Sequence, residues 1–301
     1  MISWRWSSAS STSRAVRGQR GTLFILFFCA LCQNSLAQSS DEFSIGARSW
    51  SMANAVVAQS DRYSLINNIA GLATHQEASV FSSYHSHYGF EGINTLAFGV
   101  GVPLRQELAA GFSVQRFGDK LYNELSFGLG VAHRISRISL GLKINYRQIA
   151  ANAPSLSLSK KALVVEMGGI AQLSSTVYLG AHIYNLAQGT FSGDGSINLP
   201  TVLKTGLTYI PTKSLRLSAE FVKNTDYPAS LRVGLEYEAL PNLFVRTGIA
   251  TKPYTNHFGL GFVSGNFTVD YAATSHPYLG WSHHVTLAYA WKKAVEENDT
   301  N

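Results

Sequence analysis

The chain has 301 residues, of which 46% are hydrophobic, 12% aromatic and only 14% charged, with a formal net charge of +6. Typical globular domains carry about 25% charged residues, and a mean hydropathy of +0.03 excludes a bundle of several membrane helices. Abundant glycine (26) with scarce proline (8) also excludes a disordered chain and suits many strands with small inward residues and aromatic borders.

In chain order, residues 1–37 read as an export signal. Arg5, Arg14, Arg17 and Arg20 give a basic start without acidic residues, and Thr22 through Cys32 form an apolar run. That run is shorter than the roughly twenty residues a membrane-spanning helix needs. Ser35-Leu36-Ala37 supplies a small-x-small cleavage pattern, so the cut is expected after Ala37. Cys29 and Cys32, the two cysteines, fall inside this signal, preceded by Phe28 and Leu31 instead of the small residue that lipidation requires. The mature chain would hold no thiol. It would keep 24 − 4 = 20 basic residues against 18 acidic ones, a balance of +2. Nucleic-acid binding has no basis in that charge.

Residues 38–76 precede the strands. Within them stand Gly46-Ala47-Arg48, Met52, Ala55-Val56-Val57-Ala58 and Asn67-Asn68-Ile69-Ala70-Gly71-Leu72.

Residues 77–291 divide into fourteen strand-like segments, at about 78–88, 93–102, 107–117, 121–133, 136–149, 160–173, 176–186, 201–210, 214–224, 229–239, 242–251, 255–264, 266–274 and 282–291. Alternation is clear in many of them: Leu231, Val233, Leu235 and Tyr237 oppose Arg232, Gly234, Glu236 and Glu238, and Leu140, Leu142 and Ile144 oppose Gly141, Lys143 and Asn145. A soluble sandwich alternates as well, but soluble strands cluster near five or six residues, whereas a tilted membrane strand takes about nine to eleven.

The connections sort by parity. Every second one is tight, as at Pro103-Leu104-Arg105-Gln106, Ser174-Ser175 and Leu240-Pro241, while the other set holds the long ones, expected at 150–159, 187–200, 225–228 and 275–281. Short periplasmic turns and longer external loops are the asymmetry of outer-membrane barrels. The last strand, Val285 to Trp291, presents an apolar face and ends on an aromatic, and residues 292–301 form a polar tail. The pattern predicts an all-β, fourteen-stranded antiparallel transmembrane barrel in the bacterial outer membrane, with lipid as its surroundings.

The segment from Gly46 to Leu72 resembles the start of the PorV/PorQ and FadL-like group of outer-membrane proteins, whose pattern runs roughly GARA-x-x-MGGA-x-VA … WNPAGL. Ile69 stands where the pattern has Pro, and Asn67 where it has an aromatic. His276-Pro277-Tyr278-Leu279-Gly280-Trp281-Ser282-His283 is similar to that group's HP-x-LG-x-SH close. The resemblance implies that the N-terminal segment folds into the lumen as a plug. It also implies two roles: service in type IX protein secretion, or passage of hydrophobic molecules. A mature length below that of typical FadL transporters favours the first, with secretion proteins or secreted cargo binding the loops near 187–200 and 275–281. A FadL-like passive channel for small hydrophobic solutes is the alternative, and a purely structural or adhesive barrel is a third class.

Alternation places Lys143, Arg147, Glu166, Arg216, Glu220, Arg232, Glu236, Arg246 and Asp270 on the inward face as a lumen charge network of both signs. In the plug, Arg48 and Asp61 are expected to pair with Glu236 and Arg232, because buried charges need partners, and Asn68 is the matched motif asparagine. His85 and His87 share a face, but no third ligand has matching spacing, so rim hydrogen bonding is expected and no metal. There is no Gly-x-Ser-x-Gly, no phosphate-binding glycine loop and no paired-carboxylate signature, so no catalytic residue, cofactor or enzyme activity is expected. Gly193-Asp194-Gly195 reads as a turn.

Overall fold

A computed structural model of the chain describes residues 44–75, 77–153, 156–191 and 197–291. The expected signal peptide, residues 38–43, the Gly193-Asp194-Gly195 turn and the polar tail lie outside the described residues.

The strands are β1 (Ala78–Ser86), β2 (Asn94–Pro103), β3 (Leu108–Gly118), β4 (Tyr122–Ile135), β5 (Ile138–Ala153), β6 (Leu156–Gln172), β7 (Val177–Tyr184), β8 (Thr190–Phe191), β9 (Ile197–Asn198), β10 (Val202–Thr212), β11 (Leu215–Asn224), β12 (Ser230–Leu240), β13 (Leu243–Thr251), β14 (Tyr254–Ser264), β15 (Phe267–His276) and β16 (Gly280–Trp291). Strands β1–β7 and β10–β16 form one closed antiparallel barrel of fourteen strands, and β8–β9 make a small separate hairpin. Closure runs through β1 and β16, paired from Ala78↔Trp291 to Ser86↔His283. A closed ladder leaves no sheet edge with unsatisfied amides and carbonyls.

One end of the barrel carries the connections 104–107, 136–137, 173–176, 213–214, 241–242 and 265–266, none longer than four residues. We call it the turn end. The opposite, loop end carries 87–93, 119–121, the segment 185–201 with its β8–β9 hairpin, 225–229, 252–253 and 277–279. Two expected loops are corrected. Residues 150–159 are mostly strand, with Asn152 paired to Ser157. No proline or glycine interrupts Ala150 to Ala153, so the ladder runs on past the barrel wall. The expected loop at 275–281 shrinks to three residues because Ser275 and His276 still pair with Trp281 and Gly280. Pro277 has no amide hydrogen to continue that ladder.

Burial is inverted relative to a soluble protein. On the outside, Leu129 is 65% exposed and Leu163 64%, whereas Lys143 is 2% and Glu220 and Asp270 are 1% exposed on the inside. In β12, Leu231, Val233 and Tyr237 face out while Arg232 and Glu236 are buried. Tyr209, Tyr237, Phe267, Tyr289 and Trp291 border the apolar outer face at the turn end, and Tyr254, Tyr278 and Trp281 do so at the loop end.

The core sits inside the barrel. Residues 44–75 form α1 (Ala47–Ser51), α2 (Ser64–Asn67) and a 3-10 helix (Ile69–Thr74). Tyr63, Leu65, Ile69 and Leu72 pack with Phe81 and with inward Ala97, Ala109, Ala132 and Ala288 of the wall.

Candidate functional site

The candidate site is the lumen, and its floor is the N-terminal segment. Short helices have little stability alone, so their position is set by bonds to the wall. Ala47 N donates to Thr286 Oγ1 at 2.8 Å, and Val56 N and Val57 N donate to Glu220 Oε2 at 2.9 and 2.8 Å. Gln59 Nε2 donates to Ser218 Oγ at 2.9 Å, and Tyr63 Oη donates to Asp270 Oδ2 at 2.8 Å.

Inward glycines let the backbone come this close. A Cβ at Gly180 would lie 2.3 Å from the Val57 carbonyl oxygen. At Gly168 it would lie 1.9 Å from Asn68 Oδ1, and at Gly248 2.5 Å from the Met52 carbonyl carbon. The segment also holds itself. Asn68 Nδ2 donates to Val57 O at 2.6 Å, and Asn67 exchanges hydrogen bonds with the backbone of Ile45. Gly46 has φ 102° beneath the Tyr63 ring, a conformation and a spacing that favour glycine.

A compact ion network fastens the segment to β11–β15. Arg48 donates to both Glu236 oxygens, at 2.7 and 2.8 Å, and pairs with Asp61. Glu236 also accepts from Arg216, and from Arg246 at 2.6 Å; Arg246 reaches Asp270 at 2.7 Å. Three arginines thus meet three carboxylates.

Above the segment, towards the loop end, lies a cavity of about 470 Å³. Trp50, Ile45 and Ala53 form its floor, and His85, His87, Phe117 and His257 line its wall. Tyr88, Phe90, Ile93 and Leu279 stand at its rim. The aromatic wall is ordered: Trp50 stacks on His284 at 4.4 Å and meets His85 edge-on at 4.7 Å, while His85 and His87 stack at 3.5 Å. His87 Nε2 is hydrogen-bonded to Thr95 Oγ1 at 2.8 Å, and His257 is held by Thr255 and Thr274 at 2.8 and 3.0 Å. The imidazoles stack and do not converge. Among the described residues no group of three His, Cys, Asp or Glu could hold a metal ion.

A smaller cavity of about 60 Å³ adjoins it and shares Gln115, Ser126, Arg147, Arg232 and Lys252 in its lining. Its polar side contains Lys143 Nζ 3.9 Å from Glu166, which also contacts His182 Nε2 at 3.2 Å and accepts from Asn145. Arg147 pairs with Glu124 and donates to Tyr184 Oη at 2.8 Å, and Lys204 Nζ donates to Ser44 Oγ at 3.2 Å. In the loops, burial pushes the Tyr88 phenol up from its ordinary range. The amides of Tyr122 and Leu121 hold the exposed Asp119 carboxyl below its own.

The nine wall residues read from the sequence therefore fall into groups. Arg216, Glu236, Arg246 and Asp270 are joined with Arg48 and Asp61. Lys143 and Glu166 form a second group, and Arg147 belongs with Glu124. Glu220 takes the segment's amides, with Arg232 Nη1 4.0 Å from it. Arg48 meets Glu236 as expected, but Asp61 is bonded to Arg48 within the segment, a thirteen-residue contact that needs no wall partner. Sequence reasoning missed Trp50, Tyr63, Glu124, His182 and Lys204. The last three lie on inward positions that alternation marks; Trp50 and Tyr63 carry no such sign because the segment has no strand period.

No family model matches the chain, and no curated protein matches its sequence. Among solved structures, it is similar to a Pseudomonas aeruginosa FadL homologue, with a TM-score of 0.62 and 12% identity over 83% of this chain and 100% of the other. It is similar to the P. putida toluene transporter TodX, with a TM-score of 0.62 and 10% identity over 84% and 100%. The Ralstonia pickettii toluene transporter TbuX gives 0.58 and 13% over 83% and 98%. These likenesses establish a shared barrel fold.

Proposed function

We propose that the chain is an outer-membrane channel for small hydrophobic solutes, with residues 44–75 as its plug. The reading rests on one observation above all: a cavity with an aromatic floor and wall lies between that segment and the loop end. The outer surface supports the membrane location. A soluble monomer rarely exposes an apolar patch beyond a few hundred Å², whereas here large apolar side chains cover the outward positions of strand after strand. The turn end would face the periplasm and the loop end the exterior, as short and long connections do in such barrels.

Solved barrels of like fold that are described as toluene transporters support this reading over the secretion role that the sequence resemblance favoured, for which the comparisons offer nothing. Exposed Leu121, Leu186 and Tyr278 at the loop end keep partner binding as a second reading. Cells offer the test, because a small hydrocarbon crosses a plain phospholipid bilayer unaided and the lipopolysaccharide leaflet is the barrier. Intact cells producing the protein should accumulate toluene several-fold faster than cells without it. Unchanged uptake, together with co-purification of a secreted protein through the loop end, would favour the second reading.

A further inference from the structure

Several polar groups that line the cavity are already satisfied by the protein. Trp50 Nε1 donates to Ser44 O at 3.0 Å, and Ser282 Oγ accepts from Tyr88 N at 2.9 Å. His87 is bonded to Thr95, and His257 to Thr255 and Thr274. Asn54 Oδ1 and His85 Nε2 differ. Both are buried in the lining, and neither has a hydrogen-bond partner among the described residues. His85 is fixed by its neighbours, with the ring centroids of His87 and His284 at 3.5 and 3.6 Å. Asn54 is not held in this way. Rotation about the last bond of an asparagine side chain is soft, and turning the amide towards the cavity breaks no hydrogen bond of Oδ1.

The backbone sets this amide beside the indole of the floor. Ala53 N donates to Trp50 O at 3.2 Å, and Asn54 N donates to Ser49 O at 2.9 Å. Ala53 and Asn54 both have positive φ, 53° and 58°, in the left-handed region that residues other than glycine seldom enter. One turn therefore brings an aromatic face and an unpaired acceptor together. A hydrocarbon filling the cavity would exclude water and leave that acceptor without a donor, which is costly for a buried group. A flat ring bearing one hydroxyl would stack on the aromatic lining and supply the donor. Sites with a buried polar group to satisfy discriminate strongly against the analogue that lacks its partner.

We propose that the preferred occupant of this cavity is a small neutral phenol, its ring against Trp50 and its hydroxyl donating to Asn54 Oδ1. The proposal rests on the channel reading and specifies its substrate class. Its test compares p-cresol, p-xylene and 4-methylanisole on the purified full-length barrel. The xylene replaces the hydroxyl by a methyl group of like size, and the anisole keeps the oxygen without its hydrogen. Equilibrium dialysis at neutral pH, against protein-free micelles of the same detergent, isolates the binding that the barrel itself supplies. The barrel should take up p-cresol roughly tenfold more strongly than either other probe, the size of one well-made hydrogen bond. Asn54→Gly removes the amide, and glycine adopts the φ of 58° without strain; the preference should vanish in that barrel. Equal binding of p-cresol and p-xylene, or of p-cresol and 4-methylanisole, overturns the assignment, as does an undiminished preference in Asn54→Gly. If the variant does not fold, the comparison of probes on the native barrel decides. Toluene uptake by cells is read in parallel. If uptake persists while p-cresol shows no preference, the substrate class fails and the channel stands. If uptake is absent too, the channel reading itself fails.

Discussion

The two halves of the lumen solve opposite problems. At the turn end the N-terminal segment packs against glycine and alanine positions, and Arg48 and Asp61 of the segment join Arg216, Arg246, Glu236 and Asp270 of the wall in one ion network. At the loop end the wall keeps a cavity of about 470 Å³ lined by Trp50, His85, His87 and Phe117. Buried ion pairs rarely add net stability over apolar packing, but breaking one by removing a single partner is costly. The difference teaches where each half is vulnerable. The turn end holds structure, and changes there should be felt as instability. The loop end holds selectivity, and changes there should be felt in what binds.

The sharpest break of this comparison is Glu236→Ala. It takes the carboxylate from Arg216 and one of two carboxylate partners from Arg48 and Arg246, and the barrel should lose about 3–5 kcal/mol in urea unfolding followed by tryptophan fluorescence. Next comes Gly180→Val. Its Cβ would sit 2.3 Å from a carbonyl oxygen that belongs to backbone and cannot swing away. Overpacking of this kind costs about 1–3 kcal/mol, and it should also expose residues 44–75 to added protease while the barrel remains resistant. Asn68→Ala removes the donor to Val57 O, and loss of a buried hydrogen bond of this kind costs about 1–2 kcal/mol; limited proteolysis of the segment should quicken with little change in the strands. Smallest is Lys252→Gln at the loop end, where stability should shift by no more than about 0.5 kcal/mol in the same unfolding measurement. A Lys252→Gln barrel as damaged as Glu236→Ala would erase the distinction between the halves.

Much of the barrel was legible because a strand that faces apolar surroundings on one side and a polar lumen on the other must alternate. Leu231, Val233 and Tyr237 against Arg232 and Glu236 declare their faces without any neighbour being known. Alternation gives the face of a side chain but not its depth or its partner across strands. The nine inward charges were therefore readable as a set, while their division into separate groups depends on register, as in Glu236↔Arg246 and Lys143↔Glu166. The extended β5–β6 hairpin is not legible in the sequence because backbone pairing continues there where hydrophobicity no longer marks a wall. In the N-terminal segment the motif positions proved informative for another reason. Gly46, Arg48, Met52 and Asn68 are the positions where the chain turns, pairs or touches the wall. Trp50, which forms the cavity floor, lies between them and carries no period that would single it out.

The most direct test of the account is solute uptake with the cavity filled. Thr274→Trp places a bulky side chain in the lining beside His257, in the half of the lumen where bulk should not unlatch the segment. Intact cells producing the native chain should accumulate toluene several-fold faster than cells lacking it. Cells producing an equal amount of folded Thr274→Trp barrel should fall to the rate of cells without the protein. Full uptake through the filled barrel, or equal uptake by all three, would contradict a route through this cavity.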